Sequence, residues 1–231
     1  MTGAVLGIVP ARGGSKGVPN KNARPLAGRS LLEYAAAAAR GSGVIDRIIL
    51  STDSADIAAA GRRAALEVPF MRPAHLAADD TPMLPVVEHA LDCLGKDGWI
   101  PEIVVLLQPT SPLRRPEHIR AAVDLLRSSG ADSVVSVVAV PQHLSPDYVM
   151  RIEAGRLRSF LPDGARVVRR QDARRAFARE GTVYAFRTAA LRRSGSLYGD
   201  DCRPLVIDDA ESLSIDSAAD WAAAERALAG R

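Results

Sequence analysis

The chain of 231 residues has few lysines, few aromatic side chains and almost no cysteine. Lysine supplies three of its 30 basic residues, so arginine carries nearly all of the positive charge. Because aromatic residues make up only 4% of the chain, Ala, Val, Leu and Ile must build the core, which suits parallel strands covered by alanine-rich helices. The two cysteines, Cys93 and Cys202, are too far apart in sequence to suggest a disulfide framework or a zinc site, and we expect both to be buried free thiols.

Long apolar runs and a large net charge are also absent. No apolar stretch approaches the roughly 20 residues that a membrane-spanning helix needs, and the first residues show no basic region leading into a signal-peptide core. The formal net charge is +3, with the basic residues spread among 27 acidic ones, which argues against a general nucleic-acid-binding protein. The composition therefore favours a cytoplasmic protein with no membrane or nucleic-acid partner.

Strand-like and helix-like patterns alternate through the first 140 residues, as expected for βαβ units. With 47% hydrophobic residues, the chain can form one large domain, residues 1–231, with a sizeable insertion. We therefore predict an α/β fold with a mostly parallel central sheet. The predicted strands cover residues 4–9, 47–50, 103–107, 132–140, 182–186 and 205–207, and the predicted helices cover residues 31–39, 54–66, 82–94, 116–127 and 218–228.

Residues 141–180 break this alternation and predict an inserted subdomain. Helical periodicity is lost there, and two short strand-like pieces, 148–152 and 157–160, suggest a protruding hairpin. Six arginines against a single acidic residue lie within residues 166–179, a density too high for a buried face. Two interpretations stay open: a solvated positive surface, or arginines that contact an anionic substrate across a dimer, since such a hairpin can pack only against another chain.

The loop after the first predicted strand combines glycines with two of the three lysines. It covers residues 10–22 and reads PARGGSKGVPNKN. Its glycines allow a tight turn that brings backbone N–H groups close to an anion. Arg12, Lys16 and Lys21 add positive charge where a triphosphate would lie. Since lysine is rare elsewhere in the chain, its use here indicates a chemical requirement that arginine does not meet.

Two interpretations of this loop are possible: an ordinary strand-to-helix connection whose charges face water, or a phosphate-binding loop. Its position directly after the first buried strand favours phosphate binding, because open α/β sheets bind ligands at that edge. The loop lacks the Gly-Lys-Ser/Thr of a Walker A motif and the Gly-x-Gly-x-x-Gly of a dinucleotide-binding turn. Pro19 prevents a helix from starting directly after Gly17, so we expect an extended, wrapping loop.

Further polar segments follow the other predicted strands. Residues 51–53 and 108–114 should meet the first loop at the same sheet edge, and together they describe a nucleotide site. Phosphoryl chemistry also needs magnesium held by carboxylates, and Asp216, at a predicted strand end before the last helix, is the best candidate. The alternative, that Asp216 or Ser217 only caps that helix, stays open. Four histidines show no metal-ligand spacing and are expected to be structural or at the surface: His75, His89, His118 and His143.

Five motifs together resemble one family. They are residues 10–22, Ser-Thr-Asp at 51–53, Arg-Pro-Ala at 72–74 with Leu-Ala at 76–77 and Asp79, Gln-Pro-Thr-Ser-Pro-Leu-Arg at 108–114, and Arg-Gln-Asp at 170–172. On these motifs the chain resembles the acylneuraminate cytidylyltransferases, also called CMP-sialic acid synthetases, over nearly its whole length. The resemblance implies a Rossmann-like nucleotidyltransferase fold and transfer of CMP from CTP to the anomeric hydroxyl of a nonulosonic acid, with release of pyrophosphate. It also implies magnesium as the cofactor and a homodimer in which the inserted hairpin reaches over the partner's active site.

The resemblance also implies roles for individual residues. Asp216 matches the second aspartate of the family's Asp-x-Asp and would coordinate magnesium next to the α-phosphate, acting in catalysis with Lys16 and Lys21. The other implied contacts are Arg12, Gly13, Ser15, Lys16 and Lys21 with the triphosphate, Asn22 and Arg72 with the cytidine, and Gln108, Arg170 and Arg179 with the acceptor sugar acid.

One departure from the family pattern concerns the metal. Ser214 stands where the family has its first aspartate, and a neutral hydroxyl is a poorer magnesium ligand than a carboxylate. Asp208, Asp209 and Glu211 are the candidate replacements. Ser214 also suggests an alternative function, a nucleotide-binding homologue without turnover.

A second departure concerns the acceptor. After Phe177 the family has an arginine and then Asn-Gly, which meet the carboxylate and substituents of the sugar, whereas this chain reads Ala-Arg-Glu-Gly over residues 178–181. Arg179 could replace the arginine by a one-residue shift, but Glu180 would repel a carboxylate unless it faces away. The acceptor is therefore left open between a nonulosonic acid and a different molecule, such as an amino sugar phosphate or a phosphonate.

Overall fold

The structure is a computed structural model, and it describes residues 3–14, 18, 20–163 and 169–230. These residues form ten strands and six α-helices. The strands are β1 (Val5–Pro10), β2 (Pro25–Leu26), β3 (Arg29–Ser30), β4 (Arg47–Ser51), β5 (Ile103–Leu106), β6 (Ser133–Ala139), β7 (Met150–Glu153), β8 (Arg156–Ser159), β9 (Phe177–Arg187) and β10 (Cys202–Val206). The helices are α1 (Leu31–Ser42), α2 (Ala55–Arg63), α3 (Met83–Lys96), α4 (Pro116–Ser129), α5 (Thr188–Ser194) and α6 (Ala218–Ala229).

Six strands form one sheet in the order β10-β6-β9-β5-β1-β4. β1 pairs in parallel with β4 and β5, and β6 pairs in parallel with β10. β9 runs antiparallel between β5 and β6. The predicted α/β fold with a mostly parallel sheet is confirmed.

β1 is buried along its whole length. Val5 and Val9 pack in a cluster with α1 and α4 on one face of the sheet, and Leu6 and Ile8 pack with α3 and α5 on the other. Because side chains alternate along a strand, a strand covered by helices on both faces must be apolar at nearly every position. This requirement explains the uninterrupted apolar run at the start of the sequence.

The register of β1 brings the ends of three strands to one edge of the sheet. Ile8 lies opposite both Ile49 of β4 and Leu106 of β5, and Pro10 lies opposite Ser51. The loops that follow β1, β4 and β5 therefore start side by side, as expected for the ligand-binding edge of an open α/β sheet.

Several element boundaries differ from the prediction. α2 has the predicted cap, with Ser54 accepting from the N–H of Ile57, but it ends at Arg63 because Ala65 takes a left-handed φ of 57°. β9 starts at Phe177, so the last residues of the predicted insertion pair with β6 in the central sheet. The first three residues of β9 are all exposed and therefore lack the alternating pattern from which strands are predicted.

Three further features of the structure differ from the sequence analysis. α5 was not predicted, because a helix of 7 residues without a side-chain cap gives no clear periodic signal. Cys202 is exposed at the start of β10 and Cys93 is half-buried, so neither is the buried thiol that we expected. The segment before α6 is an irregular loop rather than a strand end, and Ile215 joins it to Thr110 by one backbone hydrogen bond.

The inserted segment carries the predicted hairpin. β7 and β8 pair antiparallel and turn at Ala154 and Gly155, whose positive φ values of 49° and 74° suit a type I′ turn. The base of the segment is tied by the fully buried carboxylate of Asp147, which accepts from the backbone N–H of Arg174 at 2.7 Å and from its Nε at 2.9 Å. In the described part of the chain, no helix is long and apolar enough to cross a bilayer.

Candidate active site

Five of the residues predicted from the sequence line one cavity. The cavity lies where β1, β4 and β5 end, and its volume is about 240 Å³. The loops after β1 and β5 form most of its walls. The five residues are Arg12, Lys21, Asn22, Arg72 and Gln108. Ser15 and Lys16 lie outside the described residues, so their roles stay predictions.

Hydrogen bonds to neighbouring segments fix the start of the first loop. The N–H of Gly13, predicted to face a phosphate, donates to Asp53 Oδ1 at 2.9 Å. The buried side-chain amide of Asn22 donates to the Arg12 carbonyl at 3.4 Å. The Arg12 guanidinium forms an ion pair with Asp79, a residue to which sequence reasoning gave no role. In the sequence, Asp79 stood out only as the last residue of the family motif that begins at Arg72.

Arg72 forms part of the cavity wall and is held by the end of β4. Its side chain is buried, and its guanidinium donates to the hydroxyl of Ser51 at 3.1 Å and to the carbonyl of the same residue. Its backbone N–H donates to the Thr52 carbonyl at 2.7 Å. Burial lowers the pKa of Arg72, and the carboxylate of Asp53 partly opposes that effect. Arg72 is therefore a fixed, charged group, positioned by the polar residues that follow β4.

Lys21 connects the first loop to the predicted metal ligand. Its Nζ donates to the Ile215 carbonyl at 2.6 Å and lies 3.5 Å from Asp216 Oδ1. The other carboxylate oxygen of Asp216 accepts from the Ser214 hydroxyl at 3.0 Å. Since Ile215 also bonds to Thr110, residues far apart in sequence meet at this point of the cavity.

The structure separates the two roles that the sequence left open for Asp216. Ser217 is the N-cap of α6, and its hydroxyl accepts from the N–H of Asp220 at 3.2 Å. The Asp220 carboxylate in turn accepts from the N–H groups of Ser217 at 2.8 Å and Asp216 at 3.0 Å. The cap thus uses the side chains of Ser217 and Asp220. The carboxylate of Asp216 takes no part in it and is 74% exposed.

Two of the three acidic residues proposed to compensate for Ser214, Glu211 and Asp208, have other partners. Glu211 bonds to His118 Nε2 at 2.9 Å and to Arg115 Nη1 at 2.9 Å. Asp208 caps a short turn by accepting from the N–H of Ala210 at 2.9 Å. Within the described residues, no group of three or more His, Cys, Asp and Glu side chains could hold a metal. Asp216 lies beside Lys21, which lines the cavity.

Gln108 and Arg114 lie at the end of β5, in the same loop. Gln108 lines the cavity, and the Arg114 guanidinium is buried behind it. Burial lowers the pKa of Arg114 to about 10, although Glu180 opposes that effect. Arg114 belongs to the motif at 108–114, but sequence reasoning gave it no role.

Of the two arginines predicted to contact the acceptor, only Arg179 has a described side chain, and it lies against Tyr198. The Arg179 side chain bonds to the hydroxyl of Tyr198, and its Cζ lies 5.0 Å above the centre of that ring. Arg170 lies in a short 3-10 turn, Arg170–Asp172, and its side chain is outside what the structure describes. The acceptor roles of Arg179 and Arg170 both stay predictions.

Comparison with known proteins agrees with the geometry. A family model described as cytidylyltransferase matches residues 6–200. This chain belongs to the cytidylyltransferase family. It is 33% identical to a CMP-N,N′-diacetyllegionaminic acid synthase of Legionella pneumophila over 97% of this chain and 96% of that protein. It is 35% identical to an N-acylneuraminate cytidylyltransferase of Escherichia coli over 64% of this chain and 33% of that protein.

Solved structures of cytidylyltransferases have the same fold. The solved structure of a CMP:2-keto-3-deoxy-manno-octonic acid synthetase with CTP matches 98% of this chain and 99% of its own, with a TM-score of 0.72 and 15% identity. The resemblance to the acylneuraminate cytidylyltransferases and the nucleotidyltransferase fold are thus confirmed, and the protein is a nucleotidyltransferase.

The position of Lys21 in the cavity wall leads to a first prediction. Lys21→Met keeps most of the aliphatic stem and removes the charge, so CTP should bind at least tenfold more weakly, a loss of about 1.4 kcal/mol. Isothermal titration calorimetry measures this directly. Lys96→Met is the matched control, because Lys96 is exposed in the last turn of α3, at the opposite edge of the sheet. Equal affinities in the wild type and the Lys21 variant would show that Lys21 does not contact the nucleotide.

Proposed function

We propose that the protein transfers CMP from CTP to a nonulosonic sugar acid and releases pyrophosphate. The observation that carries the proposal is that the cations Arg12 and Lys21 line the same cavity as Gln108. A cavity that combines cations with a neutral amide suits a triphosphate donor beside a polar acceptor. The relatives named for CMP transfer to sugar acids support the same reaction. The proposal includes a cytoplasmic location, where CTP is available.

In the proposed reaction, the anomeric hydroxyl oxygen of the acceptor attacks the α-phosphorus of CTP in line with the bond to the β-phosphate. The new oxygen–phosphorus bond forms as the bond to pyrophosphate breaks, the bonding electrons leave with pyrophosphate, and the hydroxyl proton passes to water. Arg12 and Lys21 stabilise the charge that develops on the phosphates, with Lys16 as a further predicted cation. Asn22 and Arg72 hold the cytidine. No covalent enzyme intermediate is needed, so orientation and electrostatic stabilisation supply the acceleration.

We further propose N,N′-diacetyllegionaminic acid as the acceptor. Its support is the similarity to the Legionella synthase, which covers almost all of both chains. The departure from the sialic acid family pattern at residues 178–181 also fits an acceptor other than ordinary N-acetylneuraminate.

A panel of acceptors tests the function. The purified protein, with CTP and magnesium, is offered N,N′-diacetyllegionaminic, pseudaminic, N-acetylneuraminic and 2-keto-3-deoxy-manno-octonic acids, an amino sugar phosphate and a phosphonate, and pyrophosphate release is measured. We expect the highest kcat/KM with N,N′-diacetyllegionaminic acid. Turnover only with the amino sugar phosphate or the phosphonate would show that the acceptor is not a sugar acid. Tight CTP binding without any turnover would instead favour a nucleotide-binding homologue.

Magnesium fits the residues at the cavity edge. Asp216 offers an exposed carboxylate and Ser214 a hydroxyl beside it, and magnesium prefers hard oxygen ligands. Magnesium is typically bound in proteins by one or two carboxylates, with substrate phosphates and water as the other ligands. We therefore propose that Asp216 holds a magnesium ion shared with CTP, where the metal would neutralise phosphate charge.

Asp216→Asn should raise the magnesium concentration needed for half-maximal activity about tenfold, because the amide is a weaker ligand than a carboxylate. Magnesium titrations at saturating CTP measure the effect, and CTP binding without metal should not weaken. Asp124→Asn is the control, because Asp124 is an exposed carboxylate on α4 to which no role in the site is assigned. An unchanged metal requirement in the Asp216 variant, or a raised one in the control, would remove Asp216 from the metal site.

We also propose a homodimer in which the insertion covers the partner's active site. Its hairpin exposes large apolar side chains, with Ile152 at 76% and Leu157 at 67% exposure. A cleft of about 390 Å³ at the base of the insertion is lined in part by Phe177 and Val206, which are also exposed. Apolar surfaces of this kind on a single copy support an interface with a second chain.

Ile152→Asp should therefore convert a dimer into a monomer and lower turnover, since a charge in an apolar interface is costly. Sedimentation velocity gives the mass, and the acceptor assay gives the activity. Ile100→Asp is the matched control, because Ile100 is equally exposed, at 74%, but precedes β5 at the other edge of the sheet. A wild type that is monomeric, or a variant that stays dimeric, would contradict the proposed interface.

A further inference from the structure

A bulge in β9 lies next to Gln108, the cavity residue assigned to the acceptor. In the pairing of β6 with β9, Val135 faces Tyr184 but Val137 faces Arg179, so residues 180–183 all lie opposite Ser136. The Ser136 hydroxyl holds this bulge by accepting from the Val183 N–H at 2.9 Å. Because residues 180–183 do not follow the regular strand pairing, they can approach the loop after β5.

Arg114 joins the bulge to the cavity loop. Its side chain is 6% exposed, and its guanidinium donates to the carbonyls of Gln108 at 2.5 Å, Gly181 at 3.3 Å and Thr182. One of these carbonyls belongs to a cavity residue and two belong to the bulge. A single side chain therefore fixes the distance between the two segments.

A buried guanidinium is costly unless an opposite charge lies near it. Glu180 supplies that charge from within the bulge, as the acidic group that favours the charged form of Arg114. Its carboxylate accepts from the Thr182 N–H at 3.0 Å, the Thr182 hydroxyl at 2.7 Å and the Ser212 hydroxyl at 3.4 Å. These bonds turn Glu180 back onto its own strand, and it is not among the residues that line the cavity.

The bulge also determines where the Gln108 side chain can lie. A Cβ added to Gly181 would be 3.2 Å from Gln108 Oε1 and 3.0 Å from Ser111 Oγ, so the glycine packs directly on the amide of Gln108. Within the described part of the chain, no protein group hydrogen-bonds that amide. Its position depends on its backbone, held by Arg114, and on its packing against Gly181.

We propose that Arg114 and Glu180 form a charge-compensated clamp that positions Gln108 for the acceptor, and that Glu180 does not itself contact the sugar acid. The inference rests on the proposed function, because it assigns the Gln108 side of the cavity to the acceptor. Both clamp residues are positioning residues. The glutamate that takes the place of the family's asparagine thus leaves the charge of the acceptor pocket unchanged.

A double-mutant cycle tests the clamp with three variants: Glu180→Gln, Arg114→Met and the double variant. Glu180→Gln should raise the KM for the acceptor about fivefold to tenfold and leave the KM for CTP within about twofold. Arg114→Met should raise the acceptor KM at least as much, and the double variant should be no worse than Arg114→Met alone, because both changes disable one device. Glu117→Gln, which removes an exposed carboxylate on α4, is the control and should behave as the wild type.

Two kinetic outcomes would overturn the proposal. If the effects of the two single variants on the acceptor KM multiply in the double variant, Glu180 acts independently of Arg114, as a direct contact would. If the KM for CTP rises in parallel with that for the acceptor, the clamp has no specific effect on the acceptor side. Should Arg114→Met not fold, Arg114→Lys takes its place, since it keeps the charge but cannot reach three carbonyls with one planar group.

Failure of the proposed function gives a different result. A wild type that turns over no sugar acid would end that function and the acceptor role of Gln108 with it. The unfolding temperatures of the same four proteins need no substrate, and they should still show a smaller loss in the double variant than the sum of the single losses. Additive losses in unfolding temperature would show that Arg114 and Glu180 do not act as a pair.

Discussion

The parallel pairing of β1 with β4 and β5 is the constraint on which the rest of the site depends. β1 is buried on both faces, so a slip of one residue would exchange the side chains that pack on α1 and α4 with those that pack on α3 and α5. The register is therefore strongly fixed, and the three strands end at the same edge of the sheet. Arg12, Arg72 and Gln108 meet only because of this alignment.

Segments late in the chain reach the same edge through backbone contacts. The Thr110 carbonyl accepts from Ile215, and the Ile215 carbonyl accepts from Lys21, so one residue before α6 is held by both cavity loops. A lysine suits this position because its compact ammonium can donate to a carbonyl and still lie near the Asp216 carboxylate. The two contacts of Lys21 thus explain why a lysine stands here in a chain that otherwise uses arginine.

The elements that sequence patterns predicted well are those whose residues decide their structure locally. The buried run of β1 and the Ser54 cap of α2 each leave a signal within a few residues. Arg12, Lys21 and the loop 108–114 were identified because they follow strand ends and the sheet edge collects those loops, whereas the roles of Asn22, Arg72 and Gln108 came from the family resemblance. The contact of Arg179 with Tyr198 could not be predicted, because Tyr198 comes from a loop whose proximity depends on tertiary packing. The start of β9 was missed for a similar reason, since its exposed residues owe their extended form to pairing with β6.

The three arginines at or behind the cavity fall into two physical classes, which explains why a count of charges could not identify the site. Arg72 and Arg114 are buried and bound to carbonyls, and they build walls, because removing such a charge from its acceptors is costly. Arg12 is about one-third exposed and paired with the equally accessible Asp79. An exposed ion pair is worth little, roughly 0–1 kcal/mol, so Arg12 can exchange its partner for a phosphate at small cost.

Lys21 and Asp216 form a second contact of this kind, in which the Lys21 side chain is 13% exposed and that of Asp216 is 74% exposed. A polyanion alone would meet repulsion from Asp79 and Asp216, whereas at the proposed metal site a polyanion that brings a divalent cation would make the Asp216 carboxylate a ligand. On that proposal, the carboxylates beside the two cations would favour joint binding of nucleotide and metal over binding of either one alone.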